Sequence, residues 1–162
     1  MPAVSRYDWL LFLHVLTAFA LVAAEVLFTF LIVAGRNLSV PSDLVRLFRL
    51  ARVGDVVTTI GAIGVLVFGV WLAIDVDDYQ LWDGWIIAAL VLWALFGAVG
   101  QRVSKIYYAA RDRARALAAE GRNEPSPELS ALMRSQTGLI LQLVSIVIVL
   151  LFVIDMIYKP GA

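Results

Sequence analysis

The sequence of 162 residues contains no cysteine and only one histidine. The absence of cysteine excludes disulfide bonds, thiolate metal sites, iron–sulfur ligation and c-type haem attachment. A single histidine also excludes a site that takes several imidazoles from one chain. A phosphate-binding loop, a nucleotide fingerprint and a Ser–His–Asp order are missing as well. These absences favour a protein that is not an enzyme.

Charge is scarce too. Charged residues make up 16% of the chain and hydrophobic residues 62%, and the mean hydropathy is +0.88. A soluble domain is about 25% charged and about 45–50% apolar. A chain of this length cannot hide so much apolar surface in a soluble core, because small domains keep a large surface for their volume. The composition therefore predicts an integral protein of the lipid bilayer.

The apolar residues form four long blocks, each close to the roughly 20 residues that cross a bilayer as a helix. Backbone groups in lipid must bond within their own segment, so the blocks are predicted to be helical. The first block stays apolar to Ala34, past the usual end of a cleaved signal peptide, and is expected to be retained. We predict one all-α domain, an antiparallel bundle of four transmembrane helices at about 9–34, 54–74, 85–108 and 137–157.

The loops differ sharply in charge. Eleven of the thirteen Lys and Arg residues follow the first or third block, which leaves only Arg6 and Lys159 elsewhere. By the positive-inside rule both termini are predicted to be non-cytoplasmic and segment 109–136 to be a cytoplasmic stalk and loop. The cations expected to contact lipid headgroups, rather than nucleic acid, are Arg46, Arg49, Arg52, Arg102 and Lys105.

Two cytoplasmic segments are predicted to extend the helices. A basic helix begins near Ser42 and runs into the second span, and the third helix continues to about Gly121. Ser126 and Pro127 then start a helix that leads into the fourth span, because proline suits a first helical turn.

Helix 1 carries two ionisable side chains within its span, His14 and Glu25. The two residues are eleven positions apart, which is close to three turns of an α-helix, so they lie on the same face. Ionisable groups inside a bilayer are functional candidates, because burying a charge there is costly. Glu25 is interpreted either as a proton carrier or cation ligand, or as a carboxyl bonded to a neighbouring helix or subunit. Gln142 is a candidate partner on helix 4, and Asp155 lies near the level of His14.

His14 is interpreted either as a haem or transition-metal ligand or as a neutral imidazole bonded to an adjacent helix. Met133 and Met156 are the candidates for a second axial ligand, and Met156 has the better depth. The sequence shows no recognised metal-ligand spacing. No metal site and no cofactor are therefore predicted, with haem b as the alternative.

Small residues recur on one side of helices 2 and 3 and are predicted to be packing seams. On helix 2 these residues are Gly54, Thr58, Gly61, Val65 and Gly69. On helix 3 they are Ala94, Gly97, Gln101 and Ser104.

The run from Trp9 to Leu16 resembles the first helix of a group of small bacterial membrane proteins. The resemblance implies a multi-pass protein of the bacterial inner membrane. The group includes an uncharacterised family of predicted four-helix integral membrane proteins, which is the closer match. Copper-resistance D-like and protoporphyrinogen-oxidase-like haem membrane proteins are more distantly similar. In the haem-binding relatives the histidine at this place corresponds to His14.

Three functions follow as hypotheses. The first is a non-catalytic subunit or scaffold of a membrane assembly, as a homo-oligomer or in a larger complex. The second is a haem- or metal-binding redox protein that uses His14. The third is a small proton-coupled transporter that uses Glu25.

Overall fold

The computed structural model describes residues 5–76 and 79–159, and its regular structure in those ranges is entirely helical. Asp77 and Asp78 of the acidic loop, and both chain ends, lie outside the described residues. The helices are α1 (Arg6–Gly35), α2 (Pro41–Asp75), α3 (Gly84–Ala119), α4 (Pro127–Met133) and α5 (Gln136–Tyr158).

Local capping explains where the helices begin and end. The Ser5 hydroxyl accepts from the Asp8 amide and the Asp8 carboxylate accepts from the Ser5 amide, which is a capping box at the start of α1. Pro41 occupies the first turn of α2. Gly121, with φ of +72°, lies just after α3, in the left-handed conformation that glycine tolerates best.

The predicted cytoplasmic extensions are present as helix. The basic segment after Ser42 belongs to α2, which continues without a break to Asp75, and α3 reaches Ala119. The predicted restart at Ser126 is α4, but it ends at Met133 instead of running on into the last span. The hydroxyl of Ser135 accepts from the amide of Gly138 at 3.1 Å and so caps a separate helix, α5.

The four long helices form a ring in which α1 packs on α2, α2 on α3 and α3 on α5, with a smaller contact between α1 and α5. Helix α2 approaches the backbone of α1 closely. A Cβ added at Gly61 would lie 3.0 Å from the Leu21 nitrogen and 3.1 Å from the Thr17 carbonyl oxygen. The predicted seam on α2 is confirmed, because a side chain at Gly61 would crowd the backbone of α1.

The predicted seam on α3 is wrong within this chain. A Cβ added at Gly97 or Gly100 would meet no atom within 4 Å, so these glycines face open space. Small residues permit close packing, but they require it only where a neighbouring helix fills the room they leave.

The two ends of the bundle have different character. The loops after α1 and α3 meet at one end, where the Ser42 amide donates to the Asn123 side-chain oxygen and the Ser126 amide to the Ser39 carbonyl. We call this the basic end, because it carries the arginines of α2 and α3 and of the loops. A core lies beneath it, and its most buried members are Leu44, Ala110, Ala114, Leu129 and Met133.

The opposite end is rich in aromatic residues, and we call it the aromatic end. The Tyr79 and Trp85 rings meet edge to face with centroids 5.2 Å apart, and Lys159 lies 4.5 Å above the Tyr79 ring. Arg6 forms an ion pair with Asp75. These contacts join the start of α1, the end of α2, the start of α3 and the end of α5.

The outside of the bundle is apolar between the two ends. Phe19 is 70% exposed, Phe30 68% and Ile157 68%. Such a surface is unfavourable in water and suits hydrocarbon. Four stretches are long and apolar enough to cross a membrane, namely α1, α2, α3 and the residues of α4 and α5 together. The protein is therefore a multi-pass helical protein that sits in a lipid bilayer.

The glycine seam can be tested by Gly61→Ala. We expect this substitution to lower the thermal midpoint of unfolding in detergent, because the new methyl group meets the backbone of α1 and overpacking costs about 1–3 kcal/mol. The matched control is Gly97→Ala, which gains the same helix propensity but meets open space. Equal midpoints for the two variants would contradict the seam.

Candidate functional site

A buried polar cluster joins α1 to α5 in the half of the bundle nearer the basic end. The Gln142 side-chain amide donates to Glu25 Oε2 at 2.9 Å and to the Thr29 hydroxyl oxygen at 3.1 Å. Glu25 is 8% exposed, Gln142 3% and the adjacent Ser145 2%. These four residues, Glu25, Thr29, Gln142 and Ser145, are called the Glu25 cluster below. The structure thus brings Glu25 and Gln142 together.

Helical spacing explains how the cluster forms. Residues four apart on α1 and three apart on α5 lie on one face of each helix, so two polar positions on each helix face the same way. The opposite face of α1 carries exposed Val26 and Phe30. The sequence therefore turns one polar stripe of α1 inward and leaves an apolar stripe for lipid.

The Glu25 carboxyl has no cationic partner in the part of the chain that the structure describes. The ion pairs found there join other residues, and Gln142 is a neutral donor. A charge within a bilayer is stable only when it is paired, solvated or neutralised. The cluster can therefore hold a protonated Glu25, or an ionised Glu25 together with a cation from elsewhere.

A cavity of about 710 Å³ adjoins the Glu25 cluster. We call it the central cavity. Its volume lies within the range of roughly 300–1,000 Å³ that is usual for small-molecule sites. Gly97 and Gly100 of α3 and Ala62 of α2 line it, so small residues account for its width. Its larger walls are aromatic, and they include Phe28, Phe48, Trp93, Phe96, Tyr107 and Tyr108.

The central cavity extends toward the basic end, where its lining is polar. The Tyr108 hydroxyl donates to Asp55 Oδ2 at 3.1 Å, and the Arg111 guanidinium lies 4.1 Å from the centre of the Tyr108 ring. Lys105 also lines the cavity and is itself exposed. This end of the cavity holds one carboxylate already bonded to a phenol and one exposed ammonium.

A second cavity of about 290 Å³ lies toward the aromatic end. His14 and Met156 both line it, together with Tyr79, Trp85 and Lys159. The Nδ1 atom of His14 is buried without a hydrogen-bond partner among the described residues. We call this the His14 cavity.

Gly69 makes room for the imidazole of the His14 cavity, since a Cβ there would lie 2.9 Å from His14 Cε1. Asp155 is 6% exposed and its Oδ2 lacks a partner in the described chain, but it is not among the residues that line this cavity. The structure therefore brings Met156 to the cavity of His14 and leaves Asp155 outside its lining.

Trp93 lines both cavities. Its indole N–H donates to the Ala62 carbonyl oxygen at 3.0 Å, which fixes the ring against α2. The side chain thus lies between the two spaces. Reasoning from sequence did not single out Trp93, because a tryptophan in an apolar block carries no signal of what lies on either side of it.

The cations expected at the headgroups are all exposed, and they are Arg46, Arg49, Arg52, Arg102 and Lys105. Residues 5–76 and 79–159 contain no group of three or more His, Asp or Glu side chains that could hold a metal ion. The site is therefore best described as a carboxyl and an amide beside an aromatic cavity.

The pairing of Glu25 with Gln142 can be tested by a double-mutant cycle. We expect Gln142→Leu to lower the free energy of unfolding by about 1–2 kcal/mol, because it leaves the buried carboxyl without its donor. We expect Glu25→Leu combined with Gln142→Leu to recover much of that loss, because both polar groups are then removed. The control is Gln101→Leu at an exposed position. Additive losses would show that the two side chains do not interact.

Comparison with known proteins places the chain in a family. A family model described as a predicted integral membrane protein (DUF2269) matches residues 8–160. No curated protein and no solved structure matches the chain. The match supports the resemblance to an uncharacterised membrane protein family, whereas the more distant resemblance to haem proteins stays a prediction. The chain belongs to the DUF2269 family of integral membrane proteins.

Proposed function

We propose that this protein is a small proton-coupled carrier that binds a partly apolar solute in the central cavity. The observation that carries the proposal is a carboxyl, Glu25, that among residues 5–76 and 79–159 is bonded only to neutral groups, beside a cavity of about 710 Å³. A carboxyl held in this way can gain or lose a proton as a solute leaves or arrives. A role in packing alone explains the hydrogen bond to Gln142, but it leaves the cavity without a use.

The proposed orientation has the basic end in the cytoplasm and both termini on the other side of a bacterial inner membrane. The exposed arginines of α2 and α3 support it, because Lys and Arg accumulate on the cytoplasmic side. In this orientation the central cavity lies in the cytoplasmic half, and the His14 cavity lies toward the outside.

A path through the bundle is then interrupted at Trp93, which lies between the two cavities. A carrier must expose its site to one side at a time, and a bulky side chain between two cavities supplies such a barrier. Its hydrogen bond to Ala62 ties the barrier to α2, so movement of α2 relative to α3 would open or close it.

The proton is proposed to reside on Glu25. The groups of the other helices that face the same cavity are Asp55 on α2, Lys105, Tyr107 and Tyr108 on α3, and neutral Gln142 and Ser145 on α5. Asp55 is bonded to the Tyr108 hydroxyl and Lys105 is exposed. Glu25 is therefore the deep group of this set.

This function predicts that Glu25→Gln abolishes solute-driven proton movement. Purified protein is placed in liposomes that contain a pH-sensitive dye, and a library of amphiphilic solutes is added outside. We expect at least one solute to change the internal pH, and a loss of at least tenfold in Glu25→Gln because the amide carries no exchangeable charge.

The control variant is Asp155→Asn, which changes a buried carboxyl outside the lining of both cavities. We expect it to retain the signal. A library in which no solute gives a response that depends on Glu25 would overturn the carrier proposal.

A second candidate is the non-catalytic subunit or scaffold, as a homo-oligomer or within a larger assembly. The exposed small face of α3 favours it, because nothing lies within 4 Å of a Cβ at Gly97 or Gly100 and a second helix could approach there. Native mass spectrometry from mild detergent tests this candidate. A defined oligomer that Gly97→Leu dissociates would support it, and a monomer would count against it.

Haem or metal binding at His14 is the third candidate. The observation in its favour is that His14 and Met156 line one cavity. Against it, that cavity of about 290 Å³ is smaller than most cofactor sites. A reduced-minus-oxidised spectrum of the purified protein tests it, and a colourless preparation would overturn the haem alternative.

A further inference from the structure

We infer that the ligand of the central cavity is a hydrophobic monovalent organic cation, such as a protonated amine or a quaternary onium ion, which pairs with Glu25. This inference rests on the function proposed above and names its class of solute.

The charges of the cavity lining favour a cation. Its charged residues are Glu25, Asp55 and Lys105, and of these Lys105 is exposed. Glu25 is 8% exposed, and its neighbours Gln142 and Ser145 are neutral donors. An ionised carboxyl at this depth lacks a counter-charge within the described chain, so a bound cation would stabilise it and a bound anion would be repelled.

The rest of the lining distinguishes an organic cation from an inorganic one. Metal cations such as calcium or magnesium take about six or more oxygen ligands, often from several carboxylates. Here the walls are mainly apolar and aromatic, with Trp93, Phe96 and Tyr107 among them. Aromatic faces attract weakly hydrated cations, an effect worth about 0.5–2 kcal/mol per contact. Such walls suit a cation that carries its own apolar groups.

The charges of the lining sum to one negative charge. With both carboxyls ionised, Glu25 and Asp55 carry two negative charges, and the ammonium of Lys105 offsets one of them. Asp55 lies toward the basic end and accepts from the Tyr108 hydroxyl at 3.1 Å, whereas Glu25 accepts from the neutral amide of Gln142. A monovalent cation beside Glu25 would therefore balance the lining.

The test compares two ions of the same shape and opposite charge, tetraphenylphosphonium and tetraphenylborate. Binding to the full-length protein in mild detergent is measured by equilibrium dialysis, with empty micelles subtracted because both ions partition into detergent. We expect saturable binding of tetraphenylphosphonium and no binding of tetraphenylborate above the micelle background.

Glu25→Gln is expected to weaken the binding of tetraphenylphosphonium at least tenfold, and Asp155→Asn to leave it within twofold. The affinity should also fall as pH is lowered, because a proton on Glu25 removes the charge that pairs with the ligand, and this dependence should be absent in Glu25→Gln. Repeating the pH series with Asp55→Asn tests whether the other carboxyl of the lining contributes to the pH dependence of the affinity. Retention of the pH dependence in Glu25→Gln would overturn the assignment to Glu25.

A second variant guards against loss of folding in Glu25→Gln. Gly97→Leu adds a side chain along the cavity wall, at a position where a Cβ would meet no atom within 4 Å, and is expected to weaken binding by filling the cavity. Unchanged affinity in this variant would overturn the central cavity as the site.

The outcomes separate this inference from the carrier function. Binding of tetraphenylborate that depends on Glu25 would overturn the cationic class and leave the cavity as a binding site. Absence of binding by both ions, together with a Glu25-dependent response to neutral solutes in liposomes, would overturn the cation and support the carrier. Absence of both signals would overturn the two proposals together.

Discussion

The close approach of α2 to α1 determines how much room remains inside the bundle. At Gly61 the two backbones are so near that a methyl group would be crowded, and Gly64 is covered by the side chain of Thr17. Packing of this kind takes the place of the hydrophobic effect between helices in lipid. The other two long helices, α3 and α5, complete the ring. The small residues of α3 border the central cavity.

Three threonine hydroxyls in the spans, those of Thr17, Thr29 and Thr59, are satisfied within their own helix. Thr17 donates to the Leu13 carbonyl oxygen at 2.9 Å, and Thr59 donates to the Asp55 carbonyl oxygen at 2.8 Å. Such bonds need no second helix and impose no order on the bundle. The bond between Gln142 and Glu25 differs, because it crosses from α5 to α1 where those helices otherwise touch little. The Glu25 cluster thus connects α5 to α1 and also forms part of the wall of the central cavity.

Much of the fold follows from the sequence because its causes are local. Hydropathy and length predict the four long helices, and the cap at Ser126 and the glycine at 121 act within one turn. The central cavity could not be predicted, since it depends on the distance between helices. The small residues of α3 have the same spacing as those of α2, yet only Gly61 and its neighbours meet a partner. The role of Trp93 could not be predicted for the same reason. It lines both the central cavity and the His14 cavity, and no local sequence pattern reveals either of them.

The basic end has a core of its own, in which Leu44, Leu129 and Met133 are almost completely buried. Its loops are also bonded to each other, through Ser42 with Asn123 and Ser39 with Ser126. If a long helix tilted as a rigid rod about this end, each residue would move in proportion to its distance from it. Displacement would be smallest beside the arginines and largest near Trp85 and Tyr158. Such a tilt would first have to break the contacts of Lys159 with Tyr79 and Trp85, so these three side chains would act as a latch at the aromatic end.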